Sequence, residues 1–563
     1  MPVDNYALLK RTLNTTVACD WLSEDAKDDF FPDALQFRDV QTLKSAYLEQ
    51  RQHRLLQVDV IPSIMEYVPK HNGMLREALW LHPCHRILYL AILHHLLPKL
   101  DRHMPSAVYS YRLDRTDDPD AYPFPNRADR WKHFHNDFRQ AAMEDSTGAI
   151  LITDIVAFYD HFSIETMIQR IEATLGRTVD DATHSVLQLL GNLLNIWSTT
   201  GYGIPQNYDP SSFLGSFYLQ STDCDMLAKR YRYFRWVDDI RICARNHDQA
   251  VRALHDLQAV LARERLFLAS DKTQIIEKGE PAYSALLDVE DDVLISNAEE
   301  ATAQGNPETM VEIGARLLDR IIYHSQPRGD DRKFRALANR LLAISEYHEL
   351  SNDIHPRIRE LVLPRLRSHA ARTDYWAKML NEVLNDDVIR ESRNLLIERP
   401  SLFDWQRYHL WRMLSNADDL AGDLLETART SAKVGVSTLE RAQCCICVGR
   451  HGTNRDREQL FSELFSPQTP YVIQRALFIA TQELPAALRE RLWVRALQIN
   501  SDHRQLVQYL SERDRPEYGQ HRRPRRELLE QPKSINVFLK AGVGIVRGER
   551  TTFRLSRSDY DYE

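Results

Sequence analysis

The chain has 563 residues, of which 43% are hydrophobic and 27% are charged, and its formal net charge is −8 at pH 7. A chain of this length and composition is predicted to be an ordinary soluble globular protein with a large core and more than one domain. The negative charge argues against a protein that is basic over its whole surface, but a local cleft can still be positive and bind nucleic acid.

Targeting and crosslinking signals are missing from the sequence. Residues 1–50 contain no apolar run after a basic start, and nowhere do eighteen apolar residues follow one another, so we expect a cytoplasmic protein without a membrane partner. Seven cysteines over this length do not make a disulfide framework. Cys444, Cys445 and Cys447 have no second Cys or His pair nearby to complete a zinc site, so buried thiols on a helix are favoured.

The first predicted elements are a helix over residues 40–58 and a hairpin over residues 67–76 with an Asn-Gly turn. Lys70 and Arg76 lie on the two arms of this hairpin. They are either solvated surface cations, which is the reading favoured by this stretch alone, or a pair that grips the phosphates of a nucleotide.

A long apolar helix follows the hairpin. Leucine and isoleucine recur at helical spacing from Ile87 to Leu97, and Pro98 lies near the end, which predicts a core helix. Four histidines punctuate it without an acidic or cysteine partner that would complete a ligand set, so satisfied or exposed histidines are favoured over a metal site. These histidines are His82, His85, His94 and His95.

After a polar stretch over residues 115–127 and a predicted helix over residues 130–143, the apolar run from Gly148 to Thr153 predicts a buried strand in the middle of a sheet. Asp154 ends this strand. A carboxylate at the end of an apolar strand is costly unless it is paired or bound to metal. Ser163 is the predicted cap of the next helix, with Glu165 in its first turn.

Residues 201–212 carry two Gly, two Pro, Asn and Asp, which predicts a loop before a helix that starts at Phe213. On local signals this loop is a plain connector.

The stretch from Arg232 to Cys243 has aromatic and β-branched residues on both sides of Asp238 and Asp239, which predicts strand, turn and strand with both carboxylates at the tip. An isolated Asp-Asp pair is usually a solvated turn. Asp154 is its best candidate partner for binding a divalent metal, because close anions need a cation between them. Asn246 or Asp248 is the predicted cap of a following helix, and residues 266–276 predict a turn and a strand.

The order of these pieces resembles the fingers and palm of reverse transcriptases over roughly residues 60–280. Each motif is weak alone, but five in the right order are strong together. The matching segments are Pro69-Lys70 with Gly73 and Arg76, Asp154 with Phe158-Tyr159-Asp160, Gly203-Ile204-Pro205-Gln206 with Ser211 or Ser212, Val237-Asp238-Asp239, and Lys272-Thr273. The implied fold is an α+β fingers and palm with an antiparallel sheet and helices.

This resemblance implies phosphoryl transfer with two Mg²⁺ or Mn²⁺ ions roughly 4 Å apart. The implied metal ligands are Asp154, Asp238, Asp239 and the backbone carbonyl of Ile155. Lys272 is the implied catalytic lysine, supplying a proton or positive charge to the leaving pyrophosphate. The implied nucleotide-binding residues are Lys70, Arg76, Ile155, Phe158, Tyr159 and Gln206, and the implied template or primer residues are Asn207, Ser211 and Trp236.

Three positions bear on the choice of nucleotide and template in this resemblance. Tyr159 matches the family's sugar gate, a ring that leaves no room for a 2′-hydroxyl, so dNTPs are the expected substrates; the alternative is a core aromatic residue. Trp236 stands where most such enzymes have Tyr, and Asn207 stands where most have Gly. Both positions are expected where primer or template passes. Whether the protein copies a template in the ordinary way is therefore open.

Residues from about 300 to 512 are dominated by helical periodicity with few Gly or Pro. Paired amphipathic helices suggest a HEAT-like repeat array, although an irregular bundle would give the same pattern. We therefore divide the chain into a fingers and palm domain (1–290), an α-helical repeat domain (291–512) and a basic loop with a C-terminal tail (513–563). A helical region of this kind is similar to that of bacterial abortive-infection and phage-defence reverse transcriptases.

That family resemblance implies DNA synthesis in antiviral defence, with or without a template, with a protein hydroxyl or nucleic acid as primer, and commonly in a homo-oligomer. An RNA template or a non-coding RNA is an implied partner beside the DNA product. The basic stretch from Arg513 to Arg526 either contacts phosphates or is a solvated linker. Tyr560 and Tyr562 offer primer hydroxyls, but a flexible tail is favoured.

Three functions from different classes remain open at this level. An active DNA polymerase would lose incorporation when Asp238 is replaced. A helical scaffold with an inert palm would keep its function, since its partners bind the helical surface. A polymerase that makes RNA would contradict the sugar gate at Tyr159.

Overall fold

The computed structural model describes residues 3–57, 61–114, 118–125, 127–176, 179–198, 200–326, 330–347, 351–420 and 422–519. The basic residues 521–526 and the two tyrosines of the tail, Tyr560 and Tyr562, lie outside the described residues, so the predictions made for them stay predictions.

The N-terminal part is a set of helices around one β-hairpin. Its helices bury Leu22, Tyr47 and Leu88 in a common core, as the helical spacing of the apolar residues predicts. Its elements are α1 (Val3–Thr12), α2 (Thr15–Asp25), α3 (Arg38–Thr42), α4 (Lys44–Gln57), β1 (Ile64–Pro69), β2 (Leu75–Trp80) and α5 (Pro83–Leu100).

The hairpin of β1 and β2, here called the fingers hairpin, has a wider turn than the predicted Asn-Gly pair. Lys70 and Met74 close the loop through a backbone hydrogen bond of 2.7 Å, and the N–H of Gly73 donates to the carbonyl of Lys70 at 2.9 Å. Gly73 has a φ of 82°, a conformation that glycine adopts without cost. The loop between the closing residues is therefore three residues long, a common hairpin with glycine in the left-handed position.

The palm is a four-stranded antiparallel sheet with helices against it. The strand order is β4-β5-β3-β6, so the apolar strand β3 is central, as predicted. Its elements are α6 (Arg127–Met143), β3 (Ala149–Thr153), α7 (Ile164–Leu175), α8 (Asp181–Trp197), α9 (Asp209–Tyr218), α10 (Gln220–Ala228), β4 (Arg232–Trp236), β5 (Asp239–Ala244), α11 (His247–Arg263) and β6 (Gln274–Glu277).

One local prediction is corrected in the palm and two are confirmed. The loop predicted over residues 201–212 ends early, because α9 begins at Asp209 with Pro210 in its first turn, where the missing N–H costs nothing. Ser211 is therefore helical. The predicted caps are confirmed at Ser163, whose Oγ accepts from Thr166 N at 3.1 Å, and at Asn246, whose Oδ1 accepts from Gln249 N at 3.0 Å.

The residues after the palm, 291–512, are mostly helical and are here called the helical region. The helices that connect it to the palm and build it are α12 (Pro281–Leu286), α13 (Glu290–Gln304), α14 (Pro307–His324), α15 (Asp331–Ser345), α16 (Ser351–Ser368), α17 (Thr373–Glu382), α18 (Asp386–Arg393), α19 (Asp404–Leu414), α20 (Gly422–Val434), α21 (Thr438–His451), α22 (Asn454–Leu464), α23 (Tyr471–Ala480), α24 (Ala486–Ile499) and α25 (Arg504–Ser511). Short 3-10 segments and one π-helical turn, Asn394–Glu398, connect some of them. In the part of the chain that is described, none of the helices combines the length and apolar character needed to cross a bilayer.

The helical region packs against the N-terminal part of the chain. Trp405 Nε1 donates to the carbonyl of Phe30 at 2.9 Å. Arg475, fully buried, bridges Asp33 at 2.7 Å and Asp39 at 2.6 Å. Buried charges of this kind are stable only when they are paired, so these contacts fix the two parts against each other.

The three cysteines of α21 are buried, as the sequence predicted. Cys444, Cys445 and Cys447 have no measurable exposure, and burial raises the pKa of each thiol. A protonated, buried thiol packs as a small apolar side chain.

Candidate active site

The carboxylates of two neighbouring strands meet at one end of the palm sheet. Asp154 directly follows β3 and Asp239 is the first residue of β5, and these strands pair with Thr153 opposite Ile240. Asp238 lies in the turn just before β5. Burial first, and then the negative charge of Asp238, raise the pKa of Asp154 to about 7. The predicted meeting of Asp154 and Asp238 across the sheet is thus present in the structure.

The turn that presents Asp238, here called the catalytic turn (Val237 and Asp238), is strained. Val237 adopts the left-handed conformation, with a φ of 52°. A β-branched residue pays for this conformation and keeps it only when its surroundings hold it. The N–H of Val237 donates to Ser110 Oγ at 2.9 Å, and its carbonyl accepts from Arg235 Nη1 at 2.9 Å.

A buried ion pair lies directly under the catalytic turn. Arg235 donates from Nε and Nη2 to the two carboxylate oxygens of Asp223, at 2.7 and 2.6 Å, and both side chains have no exposed surface. The hydroxyl of Tyr233 adds a third donor to Asp223 at 2.9 Å. This bidentate pair directs the remaining nitrogen of Arg235 at the carbonyl of Val237, so it positions the turn that carries Asp238.

Asp239 faces arginines. Arg241 approaches its Oδ2 at 3.1 Å, and Arg332 of α15 approaches the same oxygen at 3.0 Å. Burial alone would raise the pKa of Asp239, but these two guanidinium groups outweigh it and lower the pKa. Arg332 also lies 4.0 Å from Asp238 and stacks over the ring of Trp131 at 4.4 Å. The helical region therefore contributes a cation to this end of the sheet.

Three predicted cations border the carboxylates. Lys272 forms an ion pair and a hydrogen bond with Asp154, whose charge raises the pKa of the lysine against the effect of burial. Burial and the charge of Arg76 lower the pKa of Lys70, while Asp160 and Asp154 act in the opposite direction. The hairpin cations and Lys272 thus lie close enough to the carboxylates to interact with them electrostatically.

Tyr159 and Gln206 line the same end of the palm. The hydroxyl of Tyr159 lies 3.1 Å from Ser212 Oγ, and Asp238 is among the charges that act on its pKa, which burial raises. Gln206 donates from Nε2 to Asp160 Oδ1 at 2.9 Å. Tyr159 therefore lies within electrostatic reach of Asp238, and Gln206 is hydrogen-bonded to Asp160.

Four other predicted site residues are held within the protein. Ser211 is fully buried 2.9 Å from the hydroxyl of Tyr89, Trp236 packs on Trp131 with ring centres 5.0 Å apart, and Phe158 is 3% exposed. Asn207, with a φ of 68°, donates from its amide to the carbonyl of Asp28. Ser211 and Trp236 therefore pack inside the protein, Ser211 at the end of its loop and Trp236 in the hairpin of β4 and β5. This differs from the predicted contact with template or primer.

The family model described as reverse transcriptase (RNA-dependent DNA polymerase) matches residues 68–307. These residues form a reverse transcriptase domain. The match contains the whole palm sheet and the second arm of the fingers hairpin, and it identifies the domain as one of nucleic-acid polymerases, which are nucleotidyltransferases. The fold class expected from the sequence, fingers and palm followed by a helical region, is confirmed.

Solved structures found as similar to this chain include apo telomerase from Candida tropicalis truncated from the C-terminal domain, at 13% identity, a TM-score of 0.29, and 43% of this chain and 55% of that chain covered. Telomerase from Candida albicans in complex with a TWJ fragment of telomeric RNA gives 10% identity, a TM-score of 0.31, and 67% and 68% coverage. The chain thus spans 55% of the length of the first of these structures. No curated protein matches the sequence.

The reverse transcriptase domain has two carboxylates that fit a divalent cation. Asp154 and Asp238 repel each other in a largely buried setting, which a bound cation would relieve. Ile155 forms a bridge with Leu268 whose hydrogen bonds are made by the flanking residues, so its own carbonyl points away from that segment. Within the described ranges, no three His, Cys, Asp or Glu side chains are arranged to hold a metal ion, and Asp239 faces Arg241 and Arg332. The role of Asp239 as a metal ligand stays a prediction.

The sequence analysis did not find Asp223, Arg235 or Arg332. One signal was present: β4 has the sequence Arg-Tyr-Phe-Arg-Trp, and a charged residue between apolar neighbours of a predicted buried strand requires a buried partner. The identity of that partner, and the approach of Arg332 from the helical region, could not be predicted from local patterns.

Proposed function

We propose that this protein is a DNA polymerase that adds deoxynucleotides by metal-assisted phosphoryl transfer. The observation that carries the proposal is the meeting of Asp154 and Asp238 at one end of the palm sheet of a reverse transcriptase domain, beside Lys70 and Lys272. A polymerase needs negative oxygens to hold cations and positive side chains to hold the triphosphate, and this end of the sheet offers both.

The roles follow from the side chains. Divalent cations held by Asp154, Asp238 and the carbonyl of Ile155 would offset the charge that develops on the triphosphate and activate the 3′-hydroxyl. Lys70 and Arg76 bind phosphate oxygens through charge-assisted hydrogen bonds. Lys272 stays protonated, because Asp154 raises its pKa, and it donates a proton or positive charge to the leaving pyrophosphate.

The preference for deoxynucleotides rests on Tyr159. Its ring is partly buried, its hydroxyl is 3.1 Å from Ser212 Oγ, and Asp238 is close enough to act on its charge. A ring held in this position beside the carboxylates leaves no space for a 2′-hydroxyl on the sugar. This geometry supports DNA over RNA as the product.

The proposed setting is antiviral defence in the cytoplasm, with the protein in a homo-oligomer. The supporting observations are the motif order of residues 60–280 and the helical region that follows the palm, which resembles the HEAT-like C-terminal regions of abortive-infection reverse transcriptases. The proposal includes synthesis without a conventional template, primed by a protein hydroxyl or by nucleic acid, and the departure from the family pattern at Asn207 supports it. A non-coding RNA is the other proposed partner.

Incorporation of labelled dNTPs with Mg²⁺ or Mn²⁺ tests the activity. Wild-type protein should form labelled product, and Asp238→Ala should abolish it while the circular dichroism spectrum and thermal midpoint stay unchanged. Asp145→Asn, a change at an exposed carboxylate remote from the site, serves as the matched control and should keep full activity. An inactive wild-type protein would refute the enzymatic function and favour the scaffold.

Protection of bacteria from phage tests the setting. A strain that expresses the wild-type chain should form fewer plaques than one that expresses Asp238→Ala at the same level. Equal protection by both would favour the inert-palm scaffold, whose partners bind the helical region. Sequencing the nucleic acid that co-purifies with each variant would identify the template, the primer or the product.

A further inference from the structure

A cleft that is open to solvent lies where the helical region meets the fingers hairpin. Its walls come from three parts of the chain: the hairpin contributes Lys70 and Arg76, the N-terminal segment contributes Asp28, and the helical region contributes Arg335 and Tyr375. Of the residues named here, the sequence predicted only Lys70 and Arg76 of the hairpin as site residues.

The walls of the cleft carry an excess of positive charge. Six Lys and Arg residues line it against four Asp residues. Asp331 pairs with Arg372, itself one of the six cations, Asp29 pairs with Arg86 outside the cleft, and Lys27 pairs with Glu24, so the balance of the other lining charges is four cations to two aspartates. The remaining lining therefore favours an anion.

Arg76 and Arg335 bring two guanidinium groups together across the interface. Burial first, and then the charge of Arg335, lower the pKa of Arg76. The Nε of Arg76 is buried and has no hydrogen-bond partner. Burial also disfavours the charge of Arg335, but Tyr375, Asp374 and Asp331 outweigh burial and raise the pKa of Arg335. The unsatisfied Nε of Arg76 and its repulsion from Arg335 remain costly, and an anion bound between the two guanidinium groups would offset both costs.

The cations of the cleft lie within electrostatic reach of the carboxylates at the end of the palm sheet. Asp238 and Asp160 act on the charge of Arg76, and Asp154 and Lys272 act on that of Lys70. An anion between Arg76 and Arg335 would therefore lie next to the site of phosphoryl transfer. A triphosphate concentrates its charge in one small group, as these converging cations require, whereas a nucleic-acid strand spreads one charge per phosphate along its length.

We propose that Arg335 of the helical region binds the triphosphate of the incoming deoxynucleotide together with Lys70 and Arg76 of the fingers hairpin. This inference rests on the proposed polymerase function and extends it, since it makes α15 a part of the nucleotide site. The phosphate oxygens accept hydrogen bonds from the guanidinium groups, and Arg335 offers the planar donor set that suits bidentate phosphate binding.

Equilibrium binding of dATP and dAMP, each with Mg²⁺, tests the proposal on Arg335→Ala. We expect dATP binding to weaken by about tenfold or more, the loss of one or two charge-assisted hydrogen bonds, while dAMP binding stays within about twofold of wild type. A structural defect would weaken both ligands, so the difference between them isolates the triphosphate. Inorganic tripolyphosphate should compete with dATP on wild-type protein and compete less on the variant.

Arg316→Ala is the matched control, because Arg316 is an exposed arginine of the same helical region. It should leave both affinities unchanged. Equal dATP binding by wild type and Arg335→Ala would overturn the inference, as would weaker binding of a short single-stranded DNA with dATP binding intact. If the alanine variant does not fold, Arg335→Gln is measured in the same way, and unfolding of both would make Arg335 a packing residue and refute its role.

Failure of this inference is distinguishable from failure of the proposed function. If wild-type protein neither binds nor incorporates dATP, the polymerase function fails. If wild-type protein does both and Arg335→Ala matches it, only the role of Arg335 fails.

Discussion

Replacement of Arg235 by methionine is expected to destabilise the protein by about 3–5 kcal/mol, because it leaves a buried carboxylate without its partner. Arg235 and Asp223 are both fully buried, and Arg235 makes two hydrogen bonds to Asp223, one to the carbonyl of Ser216 at 2.9 Å and one to that of Val237. After the change, the charge of Asp223 would keep only the hydroxyl of Tyr233 as a donor among these contacts.

The double variant Arg235→Met with Asp223→Leu separates the cost of the orphaned charge from the value of the pair. Well-packed apolar residues often replace a buried ion pair at little cost, so the double variant should be more stable than Arg235→Met alone. Its polymerase activity should nevertheless stay low, because the carbonyl of Val237 has lost the donor that holds the catalytic turn. Stability and activity are thus expected to respond differently.

Urea unfolding followed by tryptophan fluorescence measures the first effect, and dNTP incorporation measures the second. Arg263→Met is the matched control, since Arg263 pairs with Asp225 at 3.5 Å on the surface, where such a pair contributes about 0–1 kcal/mol. If Arg235→Met costs no more than Arg263→Met, or if the double variant unfolds as early as the single one, the argument that a buried charge pair supports the turn is refuted.

Three further predictions concern packing, sugar selection and pH. Gly449→Ala should cost about 1–3 kcal/mol in urea unfolding, because an added Cβ would lie 2.3 Å from the backbone of helix α23. Tyr159→Ala should lower the preference for dATP over ATP in kcat/KM by about tenfold or more, because the ring no longer excludes the 2′-hydroxyl. Hydrogen bonds from His324 and Arg320 outweigh burial and hold the pKa of Asp291 below its ordinary 3.8. The lowered pKa of Asp291 stabilises the fold above pH 3.8, and this stabilisation is lost as the pH falls toward the pKa of Asp291 in the folded protein. The free energy of unfolding of Asp291→Asn should therefore vary less than that of wild type between about pH 5 and pH 2.

Each of these predictions has an outcome that would contradict it. Gly422→Ala is the control for Gly449, because a Cβ at Gly422 would meet nothing within 4 Å, and equal effects of the two changes would refute the packing argument. An unchanged ratio of dATP to ATP would return Tyr159 to the role of a core aromatic residue. If the stabilities of Asp291→Asn and wild type fall in parallel on acidification, protonation of Asp291 is not the cause of the loss.

Local patterns predicted the elements that carry the site because each has a strong local signature. An apolar run ending in a carboxylate predicted β3 and Asp154, and aromatic and β-branched residues on both sides of an acidic pair predicted β4, β5 and Asp238. Once the strands are adjacent, alternation and register bring their ends together. This much follows from residues close in sequence.

Other features of the site depend on tertiary context. The left-handed conformation falls on Val237, although propensity favours aspartate, because Ser110 and Arg235 hold both backbone groups of the valine. Trp236 of strand β4 is buried because it packs on Trp131 of helix α6. Such contacts join residues far apart in the chain, where hydrophobic periodicity carries no information.

The helical region holds the fingers hairpin at two places. Glu66 of β1 is buried and accepts hydrogen bonds from Ser437 Oγ at 2.9 Å and from Leu439 N at 3.2 Å, so the cap of α21 binds the base of the hairpin. Nearer its tip, Val68 of β1 lies in one buried apolar cluster with Trp405 of α19. Two anchors at different heights fix the angle of a hairpin, and this angle sets the distance from Arg76 to the carboxylates of the palm. The hairpin cations Lys70 and Arg76 are therefore positioned by helices that lie outside the reverse transcriptase domain.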